Sequence, residues 1–78
     1  MLEDIGRIVR FHRKQARLTQ KTLADQAGVG KTVVFDIETG KRTIKLETIL
    51  RVLHVLNIRI KCESPLMGRY METFDAKS

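Results

Sequence analysis

Residues 19–40, TQKTLADQAGVGKTVVFDIETG, leave the chain few ways to fold. Leu23, Ala24 and Ala27 give the first segment a single small apolar face at helical spacing, and Val34 and Ile37 do the same for the second. Thr19 stands where a side-chain oxygen caps a helix, and Gly40 ends the second helix where a positive φ must be tolerated. Between them Ala27-Gly28-Val29 turns the chain tightly, with Gly28 at the sharp position. The pattern predicts two short helices, near 20–27 and 31–38, hinged at one glycine.

Two helices, a short turn containing glycine and a following basic run describe a helix-turn-helix, which sets its second helix in the major groove of DNA. Charge points the same way. The net charge of +6 and the pI of about 10.0 favour a polyanionic partner. No acid occurs between Asp4 and Asp25, whereas Arg7, Arg10, Arg13, Lys14, Arg17 and Lys21 fall in that gap. Residues 62–78 reverse the sign: Arg69 and Lys77 against Glu63, Glu72 and Asp75 leave them at −1. A chain of 78 residues makes one small domain with a modest core unless a second chain adds to it. The core is expected to be aliphatic, because aromatic residues are 5% and Trp is absent. A single cysteine, Cys62, excludes an internal disulfide and a cysteine-based zinc cage. No apolar run approaches the roughly 18 residues that cross a bilayer, and no signal peptide opens the chain. The expectation is a cytoplasmic, nucleoid-associated protein with no membrane partner.

The rest of the chain frames the motif. Residues 2–16 read as helix one, with Ile5, Ile8, Val9, His12 and Ala16 in one stripe and Arg7, Arg10, Lys14 and Arg17 on the other side. Leu18 reads as a core residue in the connection. Helix four covers about 45–56, with Leu46, Ile49, Leu50, Leu53 and Leu56 on one face. After Asn57 the period changes to two: Ile58, Ile60 and Cys62 alternate with Arg59, Lys61 and Glu63, the pattern of a half-buried strand. In an otherwise helical chain its ladder partner would be a second copy of itself. Ser64-Pro65 then opens an amphipathic stripe of Leu66, Met67, Tyr70, Met71 and Phe74, which Gly68 weakens by about 1 kcal/mol. The expected fold class is all-α with four to five helices. Residues 1–57 form the DNA-binding domain, 58–63 a dimerisation strand and 64–78 an amphipathic C-terminal tail.

The run IGRIVRFHRKQARLTQKTLADQAGVGKTVVFDIETGKR resembles the Cro/C1-type (Xre) helix-turn-helix family, whose domains are lambda-repressor-like. With the strand at 58–63 appended, the chain is similar to the HipB-type antitoxin branch. The resemblance rests on LTQ-x-x-LA-x-x-AGV followed by I-x-x-I-E-x-G, with Val34 at the first Ile, and it spans about residues 5–63. It implies a sequence-specific, homodimeric repressor of a palindromic double-stranded operator, with no enzymatic activity and no cofactor. For the HipB-type branch it implies the antitoxin of a type II toxin–antitoxin pair, bound to a HipA-type kinase toxin and repressing its own operon. The alternative is a stand-alone Xre or phage-type repressor. Three positions depart from the family pattern. Gly30 stands where Ser or Thr usually caps helix three, His12 where Leu is usual, and Lys45 where Ser usually caps helix four, leaving Thr43 to cap it two residues earlier.

Lys31, Thr32 and Val33 project from the N-terminal end of helix three, with Asp36 one turn later, and are the expected base readers by geometry and by family analogy. Lys31 can donate to guanine O6 and N7, Thr32 suits either base type, the Val33 methyls suit a thymine methyl, and Asp36 can accept from cytosine N4. Core packing is the competing role for Val33. Phe35 is either a hydrophobic base contact or a component of a subunit contact. Arg10, Arg17, Lys21, Lys41, Arg42 and Lys45 cluster near the motif as candidates for backbone phosphates, although any one of them is equally readable as a solvated charge. The resemblance implies that Gln20 bonds a phosphate and buttresses helix three. It also implies that Arg13 on helix one pairs with Glu38 at the end of helix three, a structural ion pair whose loss would cost about 2–4 kcal/mol. The dimer contact is assigned to Ile58, Ile60 and Cys62.

Other chemistries fail on their own terms. GVGKT at 28–32 looks like the end of a phosphate-binding loop, but the pattern needs glycine at position 25, where Asp25 would repel phosphate. His12 and His54 lack neighbouring Cys or acid ligands at metal spacing, and His12 is expected to be a core histidine satisfied by a backbone group. No Ser/His/Asp or Cys/His arrangement supports catalysis. Cys62 reads as a small packing residue.

Overall fold

Leu23, Val9, Val34 and Val52 have essentially no exposed surface, and one residue from each of the first four helices thus meets at a common centre. The computed structural model describes the backbone of residues 2–77 and the side chains of residues 4–74. Its helices are α1 (Leu2–Gln15), α2 (Gln20–Ala27), α3 (Lys31–Glu38), α4 (Leu46–Val55) and α5 (Met67–Lys77). The fold is all-α, with no strand among the described residues. α2 packs on α3 and on α4, and α1 packs on α3. Ala24, Ala27, Ile37, Ile49 and Leu53 complete the aliphatic core.

Each of α1 to α4 stops in the same way. A residue in the left-handed region follows the helix: Arg17 (φ 58°), Gly28 (φ 70°), Gly40 (φ 81°) and Asn57 (φ 58°). The next residue then donates its N–H back across the last turn, Leu18 to Arg13 O, Val29 to Ala24 O, Lys41 to Asp36 O and Ile58 to Leu53 O, at 2.9–3.1 Å. These are Schellman closures, which customarily bring a hydrophobic residue just past the helix back onto its final turn. Leu18, Val29 and Ile58 fill that role and pack on the core.

This closure gives the first residue of 58–63 a role within the chain itself. Ile58 is half-buried because it seals the end of α4, and the alternation beyond it pairs with no strand among the described residues. Ile60 is 51% exposed and Cys62 is exposed. A ladder needs a second backbone, and the described residues of this chain offer none beside the segment.

Other expectations shift by a turn or less. On α4, Ile49 and Leu53 of the expected face are buried with Val52 beside them and Leu56 is half-buried, whereas Leu46 is 63% and Leu50 43% exposed. On α1 the buried line is Gly6 and Val9, with Ile5 and Arg13 half-buried, while Ile8, His12 and Ala16 face outward. His12 is therefore not a core residue, although its Nδ1 lies 2.7 Å from the Ile8 carbonyl oxygen and its ring meets Phe11 edge-on. Thr43 does not cap α4; Lys45 occupies the N-cap and makes no side-chain cap hydrogen bond. Thr19 does cap α2, accepting from the Thr22 N–H at 3.0 Å, and Gly30 leaves α3 without a side-chain cap. The tail is helical from Met67, after a turn in which the Met67 N–H donates to Ser64 O. Leu66, Tyr70, Met71 and Phe74 are each about half or more exposed, and none joins the core.

Candidate nucleic-acid interface

The placement of α3 depends on what holds its two ends. At the start, the Gly28 turn closes α2 and redirects the chain within three residues, so α3 leaves at an angle fixed by α2. At the finish, Glu38 is clamped. Arg13 Nε donates to Glu38 Oε2 at 2.7 Å, Arg13 Nη2 donates to Oε1 at 3.1 Å, and Gln20 Nε2 donates to Oε1 at 3.2 Å. Arg13 Nη1 also donates to the Leu18 carbonyl at 2.9 Å, so α1, its connection to α2, the first residue of α2 and the end of α3 converge on one carboxylate. The Arg13 and Glu38 side chains are only 12% and 4% exposed. The hydrogen bond that Arg13 donates to Glu38, aided by the carboxylate's charge, holds the Arg13 pKa above its ordinary value against the burial that lowers it. A raised folded-state pKa gives stability that is present below the ordinary value and lost only as pH rises through the raised one. The guanidinium side of the pair thus stays intact throughout neutral and moderately alkaline conditions.

With Val34 and Ile37 turned inward, the outer side of α3 carries Lys31, Thr32, Phe35 and Thr39. Gln20, Lys31, Thr32 and Phe35 line one shallow depression, and Arg10, Gln20, Phe35, Glu38 and Thr39 line much of the next. Lys31, Thr32 and Arg10 thus fall on one surface, with Gln20 between the helices. Val33 instead is half-buried against the core, so the apolar residue on the outer face is Phe35, 52% exposed. Asp36 is half-buried, and its carboxylate accepts from Lys41 Nζ at 3.4 Å. Phe35 and Thr39 are legible from the helical period, since 31, 35 and 39 repeat every fourth residue opposite Val34 and Ile37. Thr39 also bonds back to the helix, its Oγ1 donating to Phe35 O at 3.0 Å.

The phosphate candidates divide into two groups. Lys21 is paired with Asp25 at 3.1 Å and Lys41 with Asp36, so each already has an acid beside it. Arg10, Arg17, Arg42 and Lys45 have no acidic partner among the described residues. Arg17 sits in the left-handed turn after α1, Arg42 in the α3–α4 connection and Lys45 at the start of α4. Ile58, Ile60 and Cys62, by contrast, lie beyond α4 and outside this surface.

Residues 9–61, more than half of the chain and including α2, α3 and α4, match the family described as Helix-turn-helix. The chain belongs to the helix-turn-helix family. A relative from Sinorhizobium fredii (strain NBRC 101917 / NGR234), described as the uncharacterized HTH-type transcriptional regulator y4mF, is 42% identical over 62 residues, spanning 80% of this chain and 82% of the relative. The solved structure of the restriction-modification controller protein C.AhdI from Aeromonas hydrophila is 33% identical and superposes with a TM-score of 0.67, covering 74% of this chain and 88% of that one. This helix-turn-helix protein is accordingly a DNA-binding transcriptional regulator and not an enzyme. No helix among its described residues is long and apolar enough to cross a membrane.

Proposed function

We propose that the protein is a dimeric, cytoplasmic repressor that reads a palindromic operator by placing α3 of each subunit in successive major grooves. The observation that carries this reading is the outer face of α3. Lys31, Thr32 and Phe35 stand together on a helix whose far end is fixed by Arg13, Gln20 and Glu38. Base readers need that rigidity, because a helix free to rock offers no register. Lys31→Ala is expected to cost about 1–3 kcal/mol of specific affinity and to relax preference at one base position. Arg42→Ala is expected to weaken binding to all sequences alike and to lower the salt slope by about one. Arg42 is a sharper probe than Lys41, whose ammonium group already lies against Asp36. Titrations of both variants on specific and random duplexes at several salt concentrations separate the two behaviours. A Lys31→Ala protein that loses affinity uniformly would remove α3 from the groove.

The subunit contact is assigned to the chain beyond α4. Ile60 and Cys62 are exposed there, and Ile58 closes one side of a groove whose apolar lining, Ala27, Leu50 and Leu53, is interspersed with Gln26, Glu47, Arg51 and His54. A second copy of the segment laid along 59–63 would cover Ile60 and Cys62.

Within that reading the protein is the antitoxin of a HipA-type kinase toxin. Support comes from α5 and the turn before it, where Leu66, Tyr70, Met71 and Phe74 are exposed and Met adds adaptable contact surface. The similarity to a restriction-modification controller favours the other reading, a regulator that acts without a toxin. Ending the chain after Glu63 discriminates between them. The antitoxin reading expects operator affinity and dimer mass nearly unchanged and kinase binding reduced, measured by calorimetry. If the shortened chain becomes monomeric, α5 belongs to the dimer contact. If it binds the kinase as tightly as the full chain, α5 has no partner role.

A further inference from the structure

Phe35 is the one residue of α3 whose exposure the core does not explain. Val34 and Ile37 are buried at 0% and 3%, and Val33 is half-buried against them, while the Phe35 ring is 52% exposed on the opposite side. It makes no ring contact with Phe11, His12, Tyr70 or Phe74, the described rings that do pair. Its neighbours are polar: Gln20, Lys31 and Thr32 on one side, Arg10 and Thr39 on the other. An aromatic ring set among a cation, hydroxyls and an amide suits a surface that is mostly hydrogen-bonding groups with an isolated apolar feature. In the major groove of DNA the apolar feature is the C5-methyl group of a pyrimidine.

We propose that Phe35 is a specificity-determining residue that packs on a pyrimidine C5-methyl group, while Lys31 and Thr32 hydrogen-bond the neighbouring base edges. This rests on the reading of α3 as the groove-entering helix. It assigns the apolar contact to Phe35 and leaves Val33 in the core. Two bases supply the same methyl group, thymine and 5-methylcytosine, and unmodified cytosine does not.

The test uses the full chain and the duplex that it enriches from randomised DNA. Each thymine in both half-sites is replaced symmetrically by uracil, which removes only the methyl, and each cytosine by 5-methylcytosine, which adds one. Affinities are measured for the wild type, Phe35→Ala and Phe35→Leu. One thymine per half-site is expected to weaken wild-type binding about fourfold when its methyl is lost, and about 15-fold when both half-sites lose it. The Phe35→Ala protein should not respond to that same change, and Phe35→Leu should respond partly. A gain of about fourfold on cytosine methylation, absent in Phe35→Ala, would assign the contact to 5-methylcytosine instead. The base replacements alone act on the unaltered protein, so a folding defect in a variant cannot imitate the result. Equal responses of wild type and Phe35→Ala to every methyl change would overturn the inference and leave the DNA-reading role standing. A fall in sedimenting mass for Phe35→Ala would also overturn it, by making the ring a subunit contact. Failure to enrich any duplex would overturn both this inference and the reading beneath it.

Discussion

Replacing Glu38 with Ala is expected to lower the melting temperature by at least about 12 °C, as a loss of about 3–5 kcal/mol in a domain of this size requires. The side chain is 4% exposed and accepts three hydrogen bonds, two from Arg13 and one from Gln20. Its removal strands a guanidinium that is itself only 12% exposed, and it unties α1 and α2 from the end of α3. The expected loss is a large fraction of the roughly 5–15 kcal/mol that such domains possess. Arg13→Ala should cost a similar amount, because it leaves the Glu38 charge buried without its partner. Arg13→Met combined with Glu38→Leu should cost much less than the two single losses added together, since a buried pair replaced by apolar groups escapes desolvation of both charges. Thermal melts at one fixed protein concentration check this, the concentration being held because dimers gain stability by mass action. A shift for Glu38→Ala below about 4 °C would mean that the clamp holds α3 by less than about 1 kcal/mol.

Gly6→Ala is expected to destabilise by about 2–3 kcal/mol, although glycine-to-alanine changes inside helices ordinarily stabilise by about 1 kcal/mol. A Cβ on Gly6 would overlap the Ile37 carbonyl oxygen and lie 2.8 Å from that of Glu38. Both are backbone atoms, so α1 must move away from the end of α3, and the Arg13–Glu38 geometry moves with it. Gly68→Ala on α5 is the matched comparison, because a Cβ there meets nothing within 4 Å, and it should be neutral or slightly stabilising. Urea unfolding of both variants decides the signs. A Gly6→Ala protein as stable as the parent would mean that α1 is not pressed against α3.

Local signals in the sequence are enough for the motif itself. Thr19, Gly28 and Gly40 act at one backbone position each, and the helices they bound fall where the apolar spacing of Leu23, Ala24, Ala27, Val34 and Ile37 places them. The Arg13–Glu38 pair is legible through resemblance, and the geometry supplies its reason. What stays hidden depends on packing between distant segments. The need for no side chain at Gly6 arises from carbonyls more than thirty residues away, and nothing in the local pattern of α1 reports it. The buried stripes of α1 and α4 are narrower than their apolar spacing suggests for the same reason, because Ile8 and Leu50 lie within reach of an apolar face that the neighbouring helices do not cover. The alternation after Asn57 has two sources of pattern in it. Ile58 owes its burial to the end of a helix, and one sealed residue followed by alternating types has the same spelling as a strand. At the interface, the period that buries Val34 and Ile37 also turns Phe35 outward and Val33 inward, and the exposure of the one and the half-burial of the other follow it.

The two-fold arrangement with α3 in the groove stands or falls on a footprint of the enriched duplex, taken with hydroxyl radicals and with guanine N7 methylation interference at saturating protein. The expected pattern is two symmetric sets of major-groove contacts on one face of the duplex, centred about 34 Å apart or a small multiple of one helical turn. A single asymmetric patch, or protection without any guanine N7 interference, would contradict it.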